Sequence, residues 1–227
     1  MQGVSREPSS RPMINRRTWR NLLYTAWDVA WIKSDFLFSS FRSKFSLLLQ
    51  GCTYGADFAT SGICSFKARK ASSIRIGDGV RLLADWRSNR VGLSTPVQLQ
   101  TFDGGDIQIG DYSGGSGIVL SSRTRITIGK HVNLGGNVRI YDHDFHSLDP
   151  ERRRLRLDEQ GADIRSAPIT IGDDVFVGAN AMILKGVTIG DRSIVAAGAI
   201  VFRGTYPSDC MLIGNPASMV ARNPKTL

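Results

Sequence analysis

Residues 169–202 have the sequence ITIGDDVFVGANAMILKGVTIGDRSIVAAGAIVF, in which branched aliphatic residues recur at every sixth position without a slip. This series consists of Ile171, Val177, Ile183, Ile189, Val195 and Val201. A companion series lies two positions earlier and consists of Ile169, Val175, Ala181, Val187, Ser193 and Ala199. A helix needs a period near 3.6, and a simple alternating strand does not demand this spacing. The repeat therefore indicates a solenoid.

Each hexapeptide is interpreted as a short strand followed by a corner. The branched residue points inward, and Gly or Ala follows four of the six members of the first series, where the chain must turn tightly. Three hexapeptides, or about 18 residues, close one triangular coil whose backbone groups pair with the coils above and below. Residues 169–202 thus predict about two coils around one aliphatic column.

Weaker copies of the repeat precede this stretch. Ile128, Leu134 and Ile140 are again six apart, and Ile-Gly-Asp recurs at residues 76–78 and 109–111. The sequence predicts a β-helix domain over residues 71–222, starting near residue 72, with an irregular excursion or degenerate coils at 82–106. A tail at 223–227 follows it.

A long insertion interrupts the repeat between Ile140 and Ile171. These residues lie 31 positions apart where the pattern allows six, so about 25 residues, within 141–167, form a loop outside the column. Long loops on regular scaffolds are disproportionately functional. The loop begins with Asp142, His143, Asp144, Phe145 and His146, which include two of the three histidines of the chain.

The hexapeptide array, the His-bearing loop and the closing Gly214-Asn-Pro-Ala217 resemble the hexapeptide-repeat O-acetyltransferases that modify galactosides, maltose, O-antigen and capsular sugars. The resemblance covers roughly residues 107–222. It implies a left-handed parallel β-helix, although periodicity alone does not fix the hand. It also implies acetyl transfer from acetyl-coenzyme A (acetyl-CoA) to a sugar hydroxyl of cell-surface polysaccharide, no metal cofactor, and a homotrimer with active sites between columns.

The same resemblance assigns candidate residues. His143 matches the catalytic base, a role that suits an imidazole titrating near neutral pH. The backbone N–H of Ala179 matches the donor to the oxyanion, and Ala179, Ala197 and Arg203 match positions along the coenzyme A groove. Arg222 falls one residue out of register with a phosphate-binding arginine.

Further candidates come from the residues around these positions. Lys185 occupies a corner from which a cation could reach a phosphate. Asp142 and Asp144 are candidates for orienting the imidazole or for contacting substrate, and His146 for contacting substrate. On the acceptor side, Ser116 lies where the galactoside enzymes carry a sugar-binding asparagine. Each cation has the alternative of being a solvated surface charge.

Two other functional classes stay open. One is a metal enzyme of the γ-carbonic anhydrase type, although His143 and His146 are only three apart and His131 lies at a corner elsewhere in the column. The other is a non-catalytic scaffold. The basic run at 152–156 lacks interleaved aromatic residues and is followed by acidic ones, so we do not expect nucleic-acid binding.

The N-terminal segment, residues 1–70, is predicted to be basic and helical. Residues 1–50 hold eight Arg or Lys against Glu7, Asp28 and Asp35, and residues 17–50 have apolar residues at roughly helical spacing, which predicts one or two amphipathic helices. Such helices could cap the first coil or pack on a neighbouring subunit, or rest on an anionic membrane. The cap is favoured, because the open end of a solenoid must be covered.

Composition places few further limits. The chain has 227 residues, 41% of them hydrophobic, and a formal net charge of +9, which favours anionic partners. Its three cysteines lack CxxC spacing, so neither a disulfide framework nor a zinc site is expected. The absence of a secretory signal and of an 18-residue apolar stretch predicts a cytoplasmic protein, one that could lie at the inner face of the membrane.

Overall fold

The computed structural model describes residues 16–69, 71–102, 104–156 and 163–221. Over these ranges the chain is mainly parallel β-structure preceded by one long helix, α1 (Arg16–Leu49). The predicted left-handed parallel β-helix is confirmed.

Three sheets, which we name A, B and C, form the three faces of the column. Strands are numbered in chain order, and each coil passes from A to B to C. Among the described residues, sheet A stacks β1 (Thr53–Tyr54), β4 (Ser73–Ile76), β7 (Asp106–Ile109), β10 (Arg125–Ile128), β13 (Ile169–Ile171), β16 (Val187–Ile189) and β19 (Gly204–Tyr206). Sheet B stacks β2 (Ala59–Ser61), β5 (Arg81–Leu83), β8 (Gly114–Ser116), β11 (Asn133–Leu134), β14 (Phe176–Val177), β17 (Ile194–Val195), β20 (Met211–Gly214) and β21 (Ala217–Ala221). Sheet C stacks β3 (Cys64–Lys67), β6 (Val97–Thr101), β9 (Val119–Ser122), β12 (Arg139–Tyr141), β15 (Met182–Leu184) and β18 (Ile200–Val201). The corners between them form the A–B, B–C and C–A edges.

The strand register explains the hexapeptide period. Thr170 pairs with Thr188 and Ile171 with Ile189, so the regular coil has 18 residues. Both recurring series of the sequence point into the column, where each member is buried. The continuous aliphatic core therefore forms directly from the repeat.

The A–B edge explains why Ile-Gly-Asp recurs. The Asp173 carboxylate accepts a hydrogen bond from the N–H of Lys130, and the Asp191 carboxylate accepts one from the N–H of Asp173, each over 2.8 Å. The glycine lets one corner approach the next, because a Cβ at Gly172 would lie 2.8 Å from the backbone nitrogen of Asp191. The motif thus joins successive coils along one edge.

Two excursions leave the column without disturbing it. Ile126 pairs with Ile169, and the loop between β12 and β13 lies outside the C–A edge. Residues 84–96 leave the B–C edge between β5 and β6. Strands β5 and β6, on either side of this second excursion, stay in register with the coil above. The irregular segment is therefore shorter than the predicted 82–106.

The column also begins earlier than residue 71, because β1 at Thr53 already belongs to sheet A. The first coil has Phe58 and Phe66 as its buried inward residues instead of the aliphatic residues of the repeat. The first coil therefore has the strands of the β-helix but not the hexapeptide pattern. Only residues before this coil form the N-terminal helix.

Helix α1 is a single helix, and its C-terminal half packs on the first coil. Ser43 Oγ and Thr60 Oγ1 lie 2.9 Å apart, and Leu47 is fully buried between the helix and the column. None of the described helices is long and apolar enough to cross a membrane. Short helix α2 (Pro150–Arg154) lies in the loop after β12.

We expect Gly172→Ala to destabilise the column by about 1–3 kcal/mol, because the added methyl would press on the backbone of the coil above. Denaturant unfolding measures the change. The control is Thr188→Ala on the exposed face of β16, which should stay within about 0.5 kcal/mol of the parent. Equal stability of the two variants would contradict the close stacking at this edge.

Candidate active site

The loop after β12 is closed at its root by pairing between its two ends. The N–H of Ala167 donates to the carbonyl of Asp142 over 2.8 Å, and the N–H of Asp144 donates to the carbonyl of Arg165 over 2.9 Å. The side chain of His143, between these two bonds, is only 1% exposed. His143 is therefore a buried residue and not a solvent-facing histidine of a surface loop.

Asp142 is a buried carboxylate surrounded by donors. The backbone N–H groups of Arg123 and Thr124 each donate to it over 2.8 Å, and Ser122 Oγ donates over 2.7 Å. Thr124 Oγ1 adds a further bond of 2.9 Å. Burial alone would raise the pKa of Asp142, but the hydrogen bonds from His143, Arg123, Ser122 and Thr124 outweigh it and lower that pKa. The aspartate is held as an anion.

This anion fixes the tautomer of His143. Nδ1 lies 2.9 Å from Asp142 Oδ1, and an ionised carboxylate can only accept, so Nδ1 carries the proton of the neutral ring. Nε2 is then the basic nitrogen, and among the described residues it is buried without a hydrogen-bond partner. The pair presents one oriented basic nitrogen.

Aromatic side chains enclose the imidazole. The ring centroids of Phe102 and Phe145 lie 5.1 and 4.8 Å from that of His143. The guanidinium of Arg123 lies 4.4 Å from the Phe102 ring. The basic nitrogen thus lies in an apolar, partly cationic environment.

The basic run of the loop is engaged within the loop itself. Arg153 donates to the carbonyl of Ser147 over 2.6 Å, and Arg152 lies 3.5 Å from the carboxylate of Asp163. Asp149 caps α2 by accepting from the N–H of Glu151. Two of these arginines therefore have a structural role.

Besides Asp142, four predicted site residues share the C–A edge with His143. Lys185 pairs with Asp144, so these two side chains neutralise each other. Arg203 lies one coil beyond Lys185 and crosses over Gly186, where an added Cβ would be 2.9 Å from its Nε. His146 is exposed on the loop.

The remaining predicted residues lie on the B–C edge, a different corner of the column. Ala179 and Ala197 occupy equivalent corners of successive coils, and no hydrogen bond of the described residues uses their N–H groups. Ser116 lies lower on this edge, buried, with its Oγ accepting from Asn89 Nδ2 over 2.7 Å. One chain therefore does not bring these residues to His143. Arg222 lies outside the described residues.

The donors that hold Asp142 were not among the predicted residues. The strand register could have predicted these donors, because Tyr141 pairs with Ser121 and so places Asp142 beside the Ser122-Arg-Thr124 corner.

His131 lies on the A–B edge, stacked on Tyr112 with ring centroids 5.3 Å apart. Within the described ranges no three His, Cys, Asp or Glu side chains group as metal ligands.

Comparison with known proteins gives a family match and curated relatives. Residues 168–203 match the family described as the hexapeptide repeat of succinyl-transferase. A Dictyostelium discoideum protein, named as a candidate acetyltransferase, is 40% identical over 122 residues, which are 53% of this chain and 60% of the relative. The chain thus covers less than two thirds of that relative.

Solved structures show the same fold. A variant of the Bacillus cereus N-acyltransferase AntD, bound to dTDP-4-amino-4,6-dideoxyglucose and coenzyme A, is 20% identical with a TM-score of 0.61, over 81% of this chain and 91% of that one. A maltose O-acetyltransferase from Clostridium difficile is 19% identical with a TM-score of 0.51, over 92% and 89%. At these identities the likeness concerns the architecture.

The lowered pKa of Asp142 predicts a pH-dependent stability. Because this pKa lies below its ordinary value of 3.8 in the folded state, the carboxylate stabilises the fold above that value, and the contribution is lost as the pH falls through the folded pKa. We expect Asp142→Asn to cost about 1–3 kcal/mol at neutral pH, since its amide cannot accept from all the donors. Urea unfolding at several pH values should show this difference shrinking below about pH 4. A difference that grows with acid would contradict the assignment.

Proposed function

We propose that the chain is a hexapeptide-repeat acetyltransferase that transfers an acetyl group from acetyl-CoA to a sugar hydroxyl, with His143 as general base. The observation that carries the proposal is the buried Asp142–His143 pair at the root of the loop, with Nε2 left without a partner among the described residues. We place the acceptor among the sugars of cell-surface polysaccharides, as the family resemblance implies.

In the proposed reaction the hydroxyl of the acceptor hydrogen-bonds to Nε2 of His143. As the oxygen attacks the thioester carbonyl, its proton passes to Nε2, and the tetrahedral intermediate then expels the coenzyme A thiolate. The imidazolium returns the proton to that sulfur. The products are a sugar acetate ester and free coenzyme A, and no covalent acyl-enzyme forms.

Asp142 would stabilise the imidazolium that forms during the step. Its carboxylate holds Nδ1–H at 2.9 Å, so a positive ring gains a charge-assisted hydrogen bond without rearrangement. The acceptor would reach Nε2 past the Phe145 ring, which is 46% exposed and whose centroid lies 4.8 Å from that of the imidazole. This ring would then pack beside the bound sugar.

The remainder of the site would come from a second copy of the chain. The N–H of Ala179 has no hydrogen-bond partner among the described residues and suits the oxyanion. The small Ala179 and Ala197 leave room for the pantetheine arm, yet both lie on the B–C edge. Packing the B–C edge of one column against the C–A edge of the next would join them to His143. Repeated around an axis, this heterologous contact closes as a homotrimer.

On the C–A edge, Arg203 is the cation placed to meet a coenzyme A phosphate, because Lys185 is already paired with Asp144. Ser116 stays the proposed acceptor contact of the neighbouring copy. It would have to share its Oγ with Asn89. The chain's own residues supply all of these roles, and no metal is needed.

We expect His143→Ala to lower kcat/KM by about a hundredfold or more, because the general base is lost while the coenzyme A groove is unchanged. Acetyl transfer from acetyl-CoA is measured over a panel of mono- and oligosaccharides, and coenzyme A affinity by calorimetry. His131→Ala, which removes the exposed histidine of the A–B edge, is the control and should keep its activity within about twofold.

Full activity of His143→Ala would reject this base. A parent protein without saturable affinity for coenzyme A would instead point to the scaffold alternative. Stoichiometric zinc or iron in active protein would favour the metal enzyme.

The two-copy site predicts complementation between inactive variants. Ala197→Trp should block the coenzyme groove on the B–C edge, and His143→Ala removes the base on the C–A edge. In mixed trimers, about a quarter of the interfaces would combine two intact edges, so co-expression should restore about a quarter of the parental activity.

The mass of the assembly provides the control for this experiment. Light scattering should give about three times 24.9 kDa for the parent and for both variants. A monomeric mass, or no recovery in mixed assemblies, would contradict a site shared between copies.

A further inference from the structure

Helix α1 presents an apolar strip to the outside of the molecule. Leu37, Phe38 and Phe41 are 70%, 73% and 72% exposed, and the strip continues in both directions along the helix. Its further members are Trp19, Leu23, Trp27, Phe45 and Leu48, all exposed. In a water-soluble helix these residues would normally face the core.

The opposite face of α1 covers the open end of the column, and beside the buried Leu47 it carries the buried polar residues Ser39 and Ser43. In the described part of the chain the first coil has no coil beneath it, and two of its backbone N–H groups donate to side chains of α1. Ser40 Oγ accepts from Thr60 N over 2.9 Å, and Asp35 Oδ2 accepts from Gly62 N over 2.8 Å. Polar side chains thus dock the helix on the column together with the buried Leu47.

A third contact of the same kind completes the cap. Gln50, directly after α1, accepts from the N–H of Ala68 over 2.7 Å and donates to the carbonyl of Phe66 over 3.0 Å. Because capping the coil uses polar atoms, it leaves the apolar strip without a partner in the described part of the chain. Capping therefore does not explain this strip.

Charge on α1 is divided between its two faces. Its two acidic residues turn toward the column, Asp35 as described and Asp28 toward Arg90, 3.4 Å away. The exposed cations Arg20 and Lys33 flank the apolar strip on opposite sides. Arg42 lies on the same side as Arg20 and donates to the carbonyl of Gly62 over 2.8 Å. The outer half of the helix is thus apolar along its middle and positive along its margins.

We propose that the outward face of α1 is an interfacial surface that lies on an anionic lipid bilayer. An apolar strip with aromatic residues and flanking cations is the composition of helices that rest in the plane of the headgroups. Each cation near an anionic surface adds to binding, and the 34 residues of the helix offer about 50 Å of contact.

Charge also favours the bilayer over a second copy of the chain as the occupant. Symmetric packing of two such helices would bring their cations together, since neither outward face carries an acidic residue. A bilayer containing acidic lipids presents the opposite charge along the whole helix. This inference does not depend on the proposed transferase activity.

The test is sedimentation of the full chain with lipid vesicles. Vesicles of phosphatidylcholine with about 30 mol% phosphatidylglycerol should bind the parent, and vesicles of phosphatidylcholine alone should bind it much more weakly. The double variant Phe41→Ser/Phe45→Ser should weaken binding to the anionic vesicles about tenfold or more. Lys33→Glu should weaken it at low salt, with the difference shrinking at about 0.5 M salt.

Val220→Ser, which removes an exposed apolar side chain from β21 at the other end of the column, is the matched control and should bind as the parent does. Circular dichroism confirms that the variants fold, and acetyl transfer to soluble sugars should be unchanged in all of them. No binding of the parent to anionic vesicles would overturn the proposal. So would a double variant that binds vesicles normally while its assembly dissociates in light scattering, because the strip would then be a contact between copies.

Discussion

The structure depends on one constraint: every coil must stack in register on its neighbour, because the strand backbone has no other partner for its N–H and C=O groups. The 18-residue offset between paired residues such as Ile171 and Ile189 follows from this constraint. So does the requirement for glycine at corners such as Gly172, where the next coil passes too close for a Cβ. Variation is confined to excursions that leave the coil and return in register.

The candidate site uses the same stacking to gain rigidity. Asp142 lies at the point where the chain leaves the column, and the donors that hold it are backbone N–H and hydroxyl groups of the neighbouring coil. Its orientation is therefore set by the column and not by the loop. His143 inherits that orientation through a single hydrogen bond, so a loop of about 25 inserted residues can carry a basic nitrogen in a fixed place.

Sequence periodicity predicted the fold wherever the repeat is aliphatic, and it failed at the first coil, where Phe58 and Phe66 fill the core. His143 could be identified because it stands in the one long break after Ile140. The pairing of Lys185 with Asp144 could not be predicted from the sequence, because these residues are distant in sequence and meet only when the loop folds back on the C–A edge. Contacts within a repeat can be predicted from spacing, whereas contacts between a loop and the column need the register.

The two ends of the column are closed in physically different ways, and this difference accounts for the unusual surface of α1. At the C-terminal end, β21 pairs antiparallel with β20, so main-chain atoms satisfy the edge of sheet B. A helix has no free main-chain groups along its length and can satisfy an open coil only with side chains. Those side chains must be polar, and the face of α1 that meets the coil is accordingly rich in serine. Most of the large apolar residues of α1 are then exposed on the outside, which turns the cap of the column into a surface that favours a nonaqueous partner.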